Sequence, residues 1–411
     1  MNASFINLLL ICAVMASVVV VGCGDDDVKS QAQTQQQGVE FKVEDLQYDS
    51  VMVTVTPPSK DVLYYACLHP ATEDFMEREP EDIYFDIRYG DNFDGFLQMG
   101  TQTLTFDNLI GHSRYRVVYF AYDEVVGQKV GDIIYSEPII TPDAPELFDI
   151  EVSDIKGMSA RVTITPPEND MRYFFWLYTM DSYERYQHCN DYELLIYDYS
   201  FWLYISQLYN YSLEEVITMD TMKGEVSLST DNILYIAEWD TEYLVWAYGV
   251  NTDGTATTPI TRKVFKTLTP EPSTMTFEVP NIETEWYEQT TAEGLLRGWV
   301  AKATIRPSAK SERYFVTITN KDWYDWYFTS DNDGRSDDDY IAHQILINTS
   351  KTSAEVISMC KSGDFVYDCF VEREILLKPD REYAVFIFGM DENGATTELN
   401  VFPFTTPAMP Y

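Results

Sequence analysis

The chain is poor in basic residues. Its 411 residues include 28 lysines and arginines against 67 aspartates and glutamates, which gives a formal net charge of -39 at pH 7. Nucleic-acid binding requires a positively charged surface, so this composition excludes a nucleic-acid partner. The acidic excess predicts a solvated, self-repelling surface, with binding of Ca²⁺ as the alternative. We expect no other cofactor.

Cysteines are also few. The six are Cys12, Cys23, Cys67, Cys189, Cys360 and Cys369. Their spacing matches no zinc motif, so we expect no metal site. Cys67 and Cys189 are predicted to be buried thiols. Cys360, at a predicted helix end, and Cys369, in the strand expected to follow, can form a disulfide or remain free.

Catalytic motifs are absent from the sequence. It contains no Gly-x-Ser-x-Gly and no His-Glu-x-x-His pattern, and these are the motifs that place a nucleophile or a metal-bound water. The four histidines, His69, His112, His188 and His343, lie in different repeats or far apart, which favours surface or capping roles. We therefore expect that the protein is not an enzyme and has no catalytic residues.

The N-terminus contains an apolar run over residues 8–21. It is shorter than the roughly 20 residues of a typical membrane helix and has the form of a secretory signal. The run ends in Val20-Val21-Gly22-Cys23, and Gly24-Asp25-Asp26-Asp27 follows. The polar, Gln-rich residues 28–38 predict a flexible tether.

These residues resemble the N-terminus of Bacteroidetes surface lipoproteins. The resemblance implies a signal peptide over residues 1–22 and a lipid anchor, such as palmitate, on Cys23. It also implies that Gly24, Asp25, Asp26 and Asp27 form an export signal and that residues 23–38 tether the protein to the outer face of the outer membrane. A plain secretory signal with an incidental cysteine is the alternative.

The rest of the chain contains a pattern that occurs three times. A Val/Thr- or Ala-rich strand ends at a proline (Pro57, Pro166 or Pro307), and the first of two aromatic residues follows seven positions later. The aromatic pairs are Tyr64-Tyr65, Tyr173-Phe174 and Tyr314-Phe315. Proline ends a strand because it cannot donate to the ladder, and three copies at one spacing predict a repeated domain.

A second landmark follows in each repeat. The strands that begin Tyr115-x-Val, Tyr243-x-Val and Tyr383-x-Val each lead to a glycine-containing turn. In the later two repeats the turns are Asp253-Gly254 and Asn393-Gly394, which are strong hairpin signals. Residues 377–383 are typical of the tyrosine corner of β-sandwich domains. Each repeat resembles a fibronectin type III domain.

The resemblance implies a mainly β chain of three tandem fibronectin type III/Ig-like sandwiches, at residues 39–141, 146–269 and 275–406. The second and third repeats have extra length between the proline and the corner tyrosine, and the capping boxes Ser212/Glu215 and Thr352/Glu355 predict helices there. Residues 192–208 and 338–347 are also predicted helices. The strands after Tyr243 and Tyr383 are apolar on both faces, so we expect these helical inserts to cover the second face.

Two aromatic segments are candidate binding surfaces. In the third repeat Trp323, Tyr324, Trp326 and Tyr327 are candidate ligand-binding residues, with burial of one helix face as the alternative. The acidic run at residues 331–339 does not fit the EF-hand template. In the second repeat residues 197–211 are similarly aromatic, and either face a partner or pack on the sandwich.

The sequence therefore predicts a non-enzymatic, lipid-anchored surface protein that binds or scaffolds. A glycan, a host molecule or a partner in an outer-membrane uptake complex is the expected ligand. An enzyme of a glycan-utilisation system, of the glycoside hydrolase type, is one alternative. A purely structural stalk is the other.

Overall fold

The structure is a computed structural model that describes residues 38–410 except residues 91–92, 188–189, 293 and 330–336. Within the described residues the chain forms six antiparallel sheets, two in each predicted repeat. We use the predicted limits 39–141, 146–269 and 275–406 as names for the first, second and third domains.

The strands are numbered in chain order. The first domain has β1 (Glu40–Leu46), β2 (Ser50–Thr56), β3 (Leu63–Pro70), β4 (Leu97–Met99), β5 (Gln102–Asp107), β6 (Arg114–Asp123), β7 (Gln128–Tyr135) and β8 (Ile139–Ile140). The second has β9 (Asp149–Ser153), β10 (Arg161–Thr165), β11 (Arg172–Thr179), β12 (Met222–Lys223), β13 (Val226–Ser229), β14 (Glu242–Gly249) and β15 (Thr261–Lys266). The third has β16 (Phe277–Thr291), β17 (Gly294–Pro307), β18 (Arg313–Asn320), β19 (Lys361–Ser362), β20 (Phe365–Asp368), β21 (Glu382–Gly389) and β22 (Asn400–Thr405).

Helices lie in the connections. The first domain has α1 (Glu73–Glu77), α2 (Pro80–Tyr89) and a 3₁₀ turn (Phe93–Phe96). The second has α3 (Met180–Gln187), α4 (Asp191–Tyr209), α5 (Leu213–Asp220) and α6 (Asp231–Leu234). The third has α7 (Lys321–Thr329), α8 (Asp338–Ile347), α9 (Ser353–Met359) and α10 (Cys369–Arg373).

Each domain pairs a three-stranded sheet with a larger one, which has five strands in the first domain and four in the second and third. The orders are β1-β2-β5 with β4-β3-β6-β7, β9-β10-β13 with β12-β11-β14-β15, and β16-β17-β20 with β19-β18-β21-β22. In the first domain β8 also pairs with β6. The inner faces of the two sheets share one buried cluster in each domain. The prediction of a mainly β chain of tandem sandwiches is confirmed.

The paired aromatics divide between the two faces of the third strand in each domain. Tyr64, Tyr173 and Tyr314 are buried between the sheets, and the next residue of each pair is buried on the outer face. This division follows from the alternation of side chains along a strand. Each inner tyrosine donates its hydroxyl to a glycine carbonyl, at 2.9, 2.9 and 3.1 Å for Gly100, Gly224 and Gly363.

The tyrosine corner occurs in all three domains. The backbone N–H five residues upstream donates to the tyrosine hydroxyl, at 2.9 Å for Tyr115, 2.7 Å for Tyr243 and 2.9 Å for Tyr383. A buried threonine closes each corner by donating its hydroxyl to the carbonyl of the same upstream residue. These bonds satisfy backbone groups that the turn would otherwise leave unpaired.

The helical inserts lie between the third strand of each domain and the short strand that follows. Each covers a second apolar cluster on the outer face of the larger sheet. In the second domain Trp246 and Tyr248 point into this outer cluster while Val245 and Ala247 point between the sheets, as predicted. Both predicted capping boxes are present, at Ser212 and Thr352.

The prediction that only the second and third domains carry helical inserts was incomplete, because the first domain also has one. Its helices pack Ile83, Tyr84 and Phe93 near the outer face of the sheet. The length comparison missed this insert because it is short. The local signal was a proline at the first position of α2, followed by Glu81 and Asp82 in the first turn.

Both domain junctions join a helix of the later domain's insert to the tyrosine corner of the domain before it. At the first, the backbone N–H of Tyr192, at the start of α4, donates to Ser113 Oγ in the corner of the first domain (3.0 Å). At the second, Nε2 of His343 in α8 donates to the carbonyl of Ile236 in the corner of the second domain (3.0 Å). The insert of each later domain thus binds the tyrosine corner before it.

The second junction is also fixed by the last hairpin turn. Asn393 Oδ1 accepts from the backbone N–H of Gly157 at 3.0 Å, and a Cβ at Gly157 would overlap the Asn393 carbonyl. Met158 and Trp239 of the second domain are buried in one cluster with the insert of the third. The contact between these domains therefore depends on a glycine that allows close backbone approach.

Candidate functional site

The predicted binding segment in the third domain forms α7. Trp323 is partly buried and Tyr324 packs on Phe386, with ring centroids 5.1 Å apart. Trp326 is 50% exposed. The side chain of Tyr327 lies outside the described residues. The structure therefore separates the three described candidates: Trp323 and Tyr324 contribute to packing, and Trp326 is half exposed. Their role in ligand binding stays a prediction.

A larger aromatic surface lies on α4 of the second domain. One side of the helix is buried against the sheet through Leu194, Trp202 and Ile205, which are at most 2% exposed. The other side carries large apolar side chains that are 36 to 52% exposed. These residues are Ile196, Tyr197, Tyr199, Tyr204, Leu208, Tyr209 and, just after the helix, Tyr211. We call this set the tyrosine face.

The tyrosine face differs from the rest of the surface in charge. Residues 199–213 include no acidic or basic residue, in a chain whose net charge is -39. A surface helix normally has polar residues opposite its buried stripe, and a helix that is apolar all round is normally covered on all sides. Helix α4 is apolar on both sides, yet its outer side is half exposed.

The equivalent helix of the third domain shows what such a cover looks like. Helix α8 is also apolar, and Tyr340, Ile341, Ala342, Ile345 and Leu346 are all buried. It lies between its own sheet and the corner of the second domain. Helix α4 has 19 residues against ten in α8, so it extends well past the length that the same packing role requires.

Two carboxyl groups lie under α4. Asp198 is 5% exposed, and its Oδ2 accepts a hydrogen bond from the Tyr248 hydroxyl at 2.9 Å. Asp220, at the end of α5, accepts from the Trp202 indole N–H at 2.7 Å. Burial raises the pKa of Asp198 to about 8 and that of Asp220 to about 6. Both carboxyls belong to the packing between insert and sheet, away from the exposed side chains.

Two of the described histidines are placed differently from the prediction. His69 was expected at the surface or in a cap, but it is partly buried beneath the first insert, where it stacks on Phe75. His343 was expected at the surface or in a cap, but it is 5% exposed in the junction between the second and third domains. Its position follows from the apolar character of α8, which draws the whole helix into the junction. His112 has a positive φ of 50° in the first corner and lies 2.7 Å from Asp143. His188 lies outside the described residues.

The cysteines in the described part of the chain are free thiols. Cys67, Cys360 and Cys369 form no disulfide there, and Cys189 lies outside it. Cys67 was predicted to be buried, but it is only partly buried because the insert leaves space above it. Cys369 was expected in a strand, but Asp368 caps a short helix that begins at this cysteine.

Among the residues that the structure describes, no group of three or more histidine, cysteine, aspartate or glutamate side chains could hold a metal ion. The acidic run at residues 331–336 lies outside them. The prediction of no metal and the calcium alternative both remain predictions.

The predicted anchor cannot be placed in the fold. Cys23 and the export residues Gly24, Asp25, Asp26 and Asp27 lie outside the described residues. Across the described ranges, none of the helices combines the length and the apolar character that a membrane crossing requires.

Comparison with known proteins gives fold similarity only. No protein-family model and no curated protein matches the chain. The FN1-FN3 domains of chicken CNTN1 match with 12% identity and a TM-score of 0.24, over 90% of this chain and 97% of that one. The central fibronectin-III array of RIM-binding protein matches with 12% identity and a TM-score of 0.16, over 67% and 81%. At such low TM-scores the fold is defined by the strand order and the tyrosine corners of the chain itself.

Proposed function

We propose that this protein is a non-enzymatic, lipid-anchored recognition protein of the bacterial outer surface. Cys23 would carry the lipid, residues 23–38 would form the tether, and Gly24, Asp25, Asp26 and Asp27 would direct export. The three sandwiches would hold a binding surface away from the outer membrane. The N-terminal sequence supports the anchor, and the repeated junction contacts support a fixed array.

The observation that carries the recognition role is the tyrosine face. Tyrosine offers a broad apolar ring together with a hydroxyl that can exchange hydrogen bonds, which suits a ligand with both apolar and polar groups. Because residues 199–213 carry no charge while the chain as a whole is strongly acidic, an uncharged ligand meets the least electrostatic opposition there.

A neutral glycan fits this chemistry best among the predicted ligands. Sugar rings present apolar C–H faces for stacking and hydroxyls for hydrogen bonds. Tyr197 and Tyr204 are separated by seven residues, a rise of roughly 10 Å along the helix. A host molecule or a partner in an uptake complex is the second kind of ligand, and it would use the same exposed rings.

The test is a glycan-array screen of the soluble fragment 28–411, with and without Ca²⁺. The fragment contains every described helix and strand. Binding that is lost in Tyr204→Ala but kept in Trp326→Ala places the ligand on the tyrosine face. Loss in Trp323→Ala or Trp326→Ala, with Tyr204→Ala unaffected, places it on α7 instead. Either result establishes a recognition module.

The array also separates the alternatives. Release of shortened sugars during incubation would identify an enzyme and overturn the proposal. The fragment is first shown to be folded by circular dichroism. If it then binds no glycan, and no surface protein copurifies with the full chain, the stalk role remains.

The anchor needs its own experiment. Cells that express the full chain are labelled with a palmitate analogue, and Cys23→Ala is the matched variant. We expect label in the wild type and none in the variant. Protease added to intact cells should digest the wild type, whereas replacement of Asp25, Asp26 and Asp27 by alanine should protect it. Label that persists in Cys23→Ala would refute the lipid assignment.

A further inference from the structure

The first domain contains a pocket that the recognition role does not use. It lies between the outer face of β3 and the insert formed by α1, α2 and the 3₁₀ turn, and its volume is about 360 Å³. Pockets that bind small organic molecules commonly have about 300 to 1,000 Å³. An apolar cavity of about 150 Å³ already accepts benzene. The pocket is therefore large enough for a compound of one or two rings.

The pocket exists because two positions that are filled in the second domain carry smaller side chains in the first. Cys67 and His69 lie ten and twelve residues after Pro57, and Trp176 and Tyr178 lie at the same distances after Pro166. In the second domain these two large side chains pack beneath the insert. In the first domain Cys67 and His69 line the open space instead. The two domains thus share the arrangement of strands and insert and differ in the side chains that lie between them.

The pocket has flat aromatic walls. Tyr65 and Phe93 stack with ring centroids 5.6 Å apart and an interplanar angle of 4°. His69 and Phe75 form a second stacked pair, at 5.6 Å and 11°. All four residues line the pocket. The rings of each pair stack on each other and together give the pocket an aromatic lining, which favours a ligand that itself carries an aromatic ring.

The interior is electrically neutral near pH 7. Burial lowers the pKa of His69 to about 4, so its imidazole is uncharged, and Nε2 lies 3.0 Å from the Tyr65 hydroxyl. Burial also raises the pKa of the Cys67 thiol, which keeps it protonated. A charged ligand would lose its hydration on entering the pocket. Neither His69 nor Cys67 would supply an opposite charge to compensate for that loss.

The rim is polar. Arg78 and Asp86 form an ion pair of 2.5 Å, with side chains 33% and 67% exposed, and both line the pocket. Their remaining donors and acceptors can bind a hydroxyl or N–H at the edge of a ligand. The pocket therefore combines an apolar interior with one polar side.

We propose that the pocket between β3 and the first insert binds a small, planar, uncharged aromatic compound with a single polar substituent, of the size of indole. The ring packs against the aromatic lining, and the polar group faces Arg78 and Asp86. This site is in a different domain from the tyrosine face, so the two proposals stand or fall separately.

The test is isothermal titration of indole into the full chain carrying Cys23→Ser, which keeps the protein free of lipid. The matched variant is Cys67→Trp with His69→Tyr, which places the residues of the second domain in the first. We expect saturable binding to the parent chain and at least tenfold weaker binding to the filled variant. Indole-3-acetate and tryptamine, which carry a charge, should both bind more weakly than indole. Equal indole binding to parent and filled variant would overturn the proposal.

A second measurement needs no filled variant, which guards against misfolding. The reaction of Cys67 with iodoacetamide is followed by peptide mass spectrometry, with and without saturating indole. Bound indole should slow modification of Cys67 several-fold and leave Cys360, in the third domain, unchanged. Cys67 modified at the same rate in both samples contradicts the site. Tyr204→Ala should behave as the parent chain in both assays.

Discussion

The buried carboxyl under α4 makes the stability of the second domain depend on pH. Its environment raises the pKa of Asp198 from the ordinary value of 3.8 to about 8, because burial opposes the charged form. A group whose pKa is raised on folding stabilises the protein fully below its unfolded pKa. That stability is lost as the pH rises towards the folded pKa. For Asp198 the window of loss runs from about pH 4 to about pH 8.

The substitution Asp198→Asn removes this titration while keeping an oxygen that can accept from the Tyr248 hydroxyl. Each pH unit inside the window changes the free energy of unfolding by about 1.4 kcal/mol. Between pH 5.5 and pH 8 the variant should therefore gain about 3 kcal/mol relative to the wild type. Any pH-independent change in the free energy of unfolding caused by the amide itself is the same at both pH values, so it cancels in this comparison.

The assay is differential scanning calorimetry of both proteins across this pH range. A domain of this size shifts by roughly 3 to 5 °C per kcal/mol, so the gap between the transitions should widen by about 10 °C. Lower pH also reduces the repulsion among the acidic residues of the whole chain, so a control for this general effect of charge is needed. The exposed Asp149→Asn serves as control, because it removes one charge without affecting a buried group. A gap between wild type and Asp198→Asn that does not change with pH would refute the reasoning.

Three further substitutions test the fold and its junction. Tyr243→Phe removes the acceptor of the Glu238 N–H and should lower the free energy of unfolding by about 1 to 2 kcal/mol, measured by calorimetry. Gly157→Ala would overlap Asn393 and should separate the second and third domains, measured as a larger radius of gyration by X-ray scattering. Ser212→Ala removes the cap of α5 and should cost about 1 kcal/mol, measured by the change in melting temperature.

Each of these three tests has a control substitution in another repeat. Tyr383→Phe should cost the same as Tyr243→Phe, since the corner geometry is equal, and a much smaller loss would argue against the hydrogen bond. Asp253→Ala changes the hairpin turn that corresponds to Asn393 and should leave the scattering profile unaltered. Thr352→Ala repeats the test of the cap in the third domain, and neutral effects at both caps would disprove the capping-box estimate.

The frame of the fold could be predicted from the sequence because its signals are local. Proline at Pro57, Pro166 and Pro307 ends a strand because it lacks the N–H that the ladder needs, and this does not depend on distant residues. The corner tyrosine and the capping boxes at Ser212 and Thr352 are likewise defined within a few residues. These landmarks, with strand alternation, were sufficient to predict tandem sandwiches and the two longer inserts.

The surroundings of the apolar helices could not be predicted in the same way. Periodicity locates a buried stripe only where the opposite side is polar. Helices α4 and α8 carry apolar residues on more than one side, so the pattern does not show that His343 is buried in a junction or that Tyr204 is exposed. Whether such a helix is covered depends on where the tyrosine corner of the preceding domain lies. That position is set by the packing of whole domains. Trp323 and Trp326, three residues apart, were equally ambiguous.

The three inserts show how one frame supports different tasks. All occupy the same connection and cover the outer face of the same sheet. The first leaves a pocket beside Cys67 and His69, the second extends α4 beyond what its sheet requires, and the third has α8 buried in a junction. Between-sheet positions stay apolar in all three domains even where their size differs, as at Ala66, Phe175 and Val316, because the sandwich must remain packed. The inserts differ in helix length, in burial and in the space that they leave, so they are less constrained than the space between the sheets. This is why we place recognition on the inserts, with the sandwiches as the frame that holds them apart.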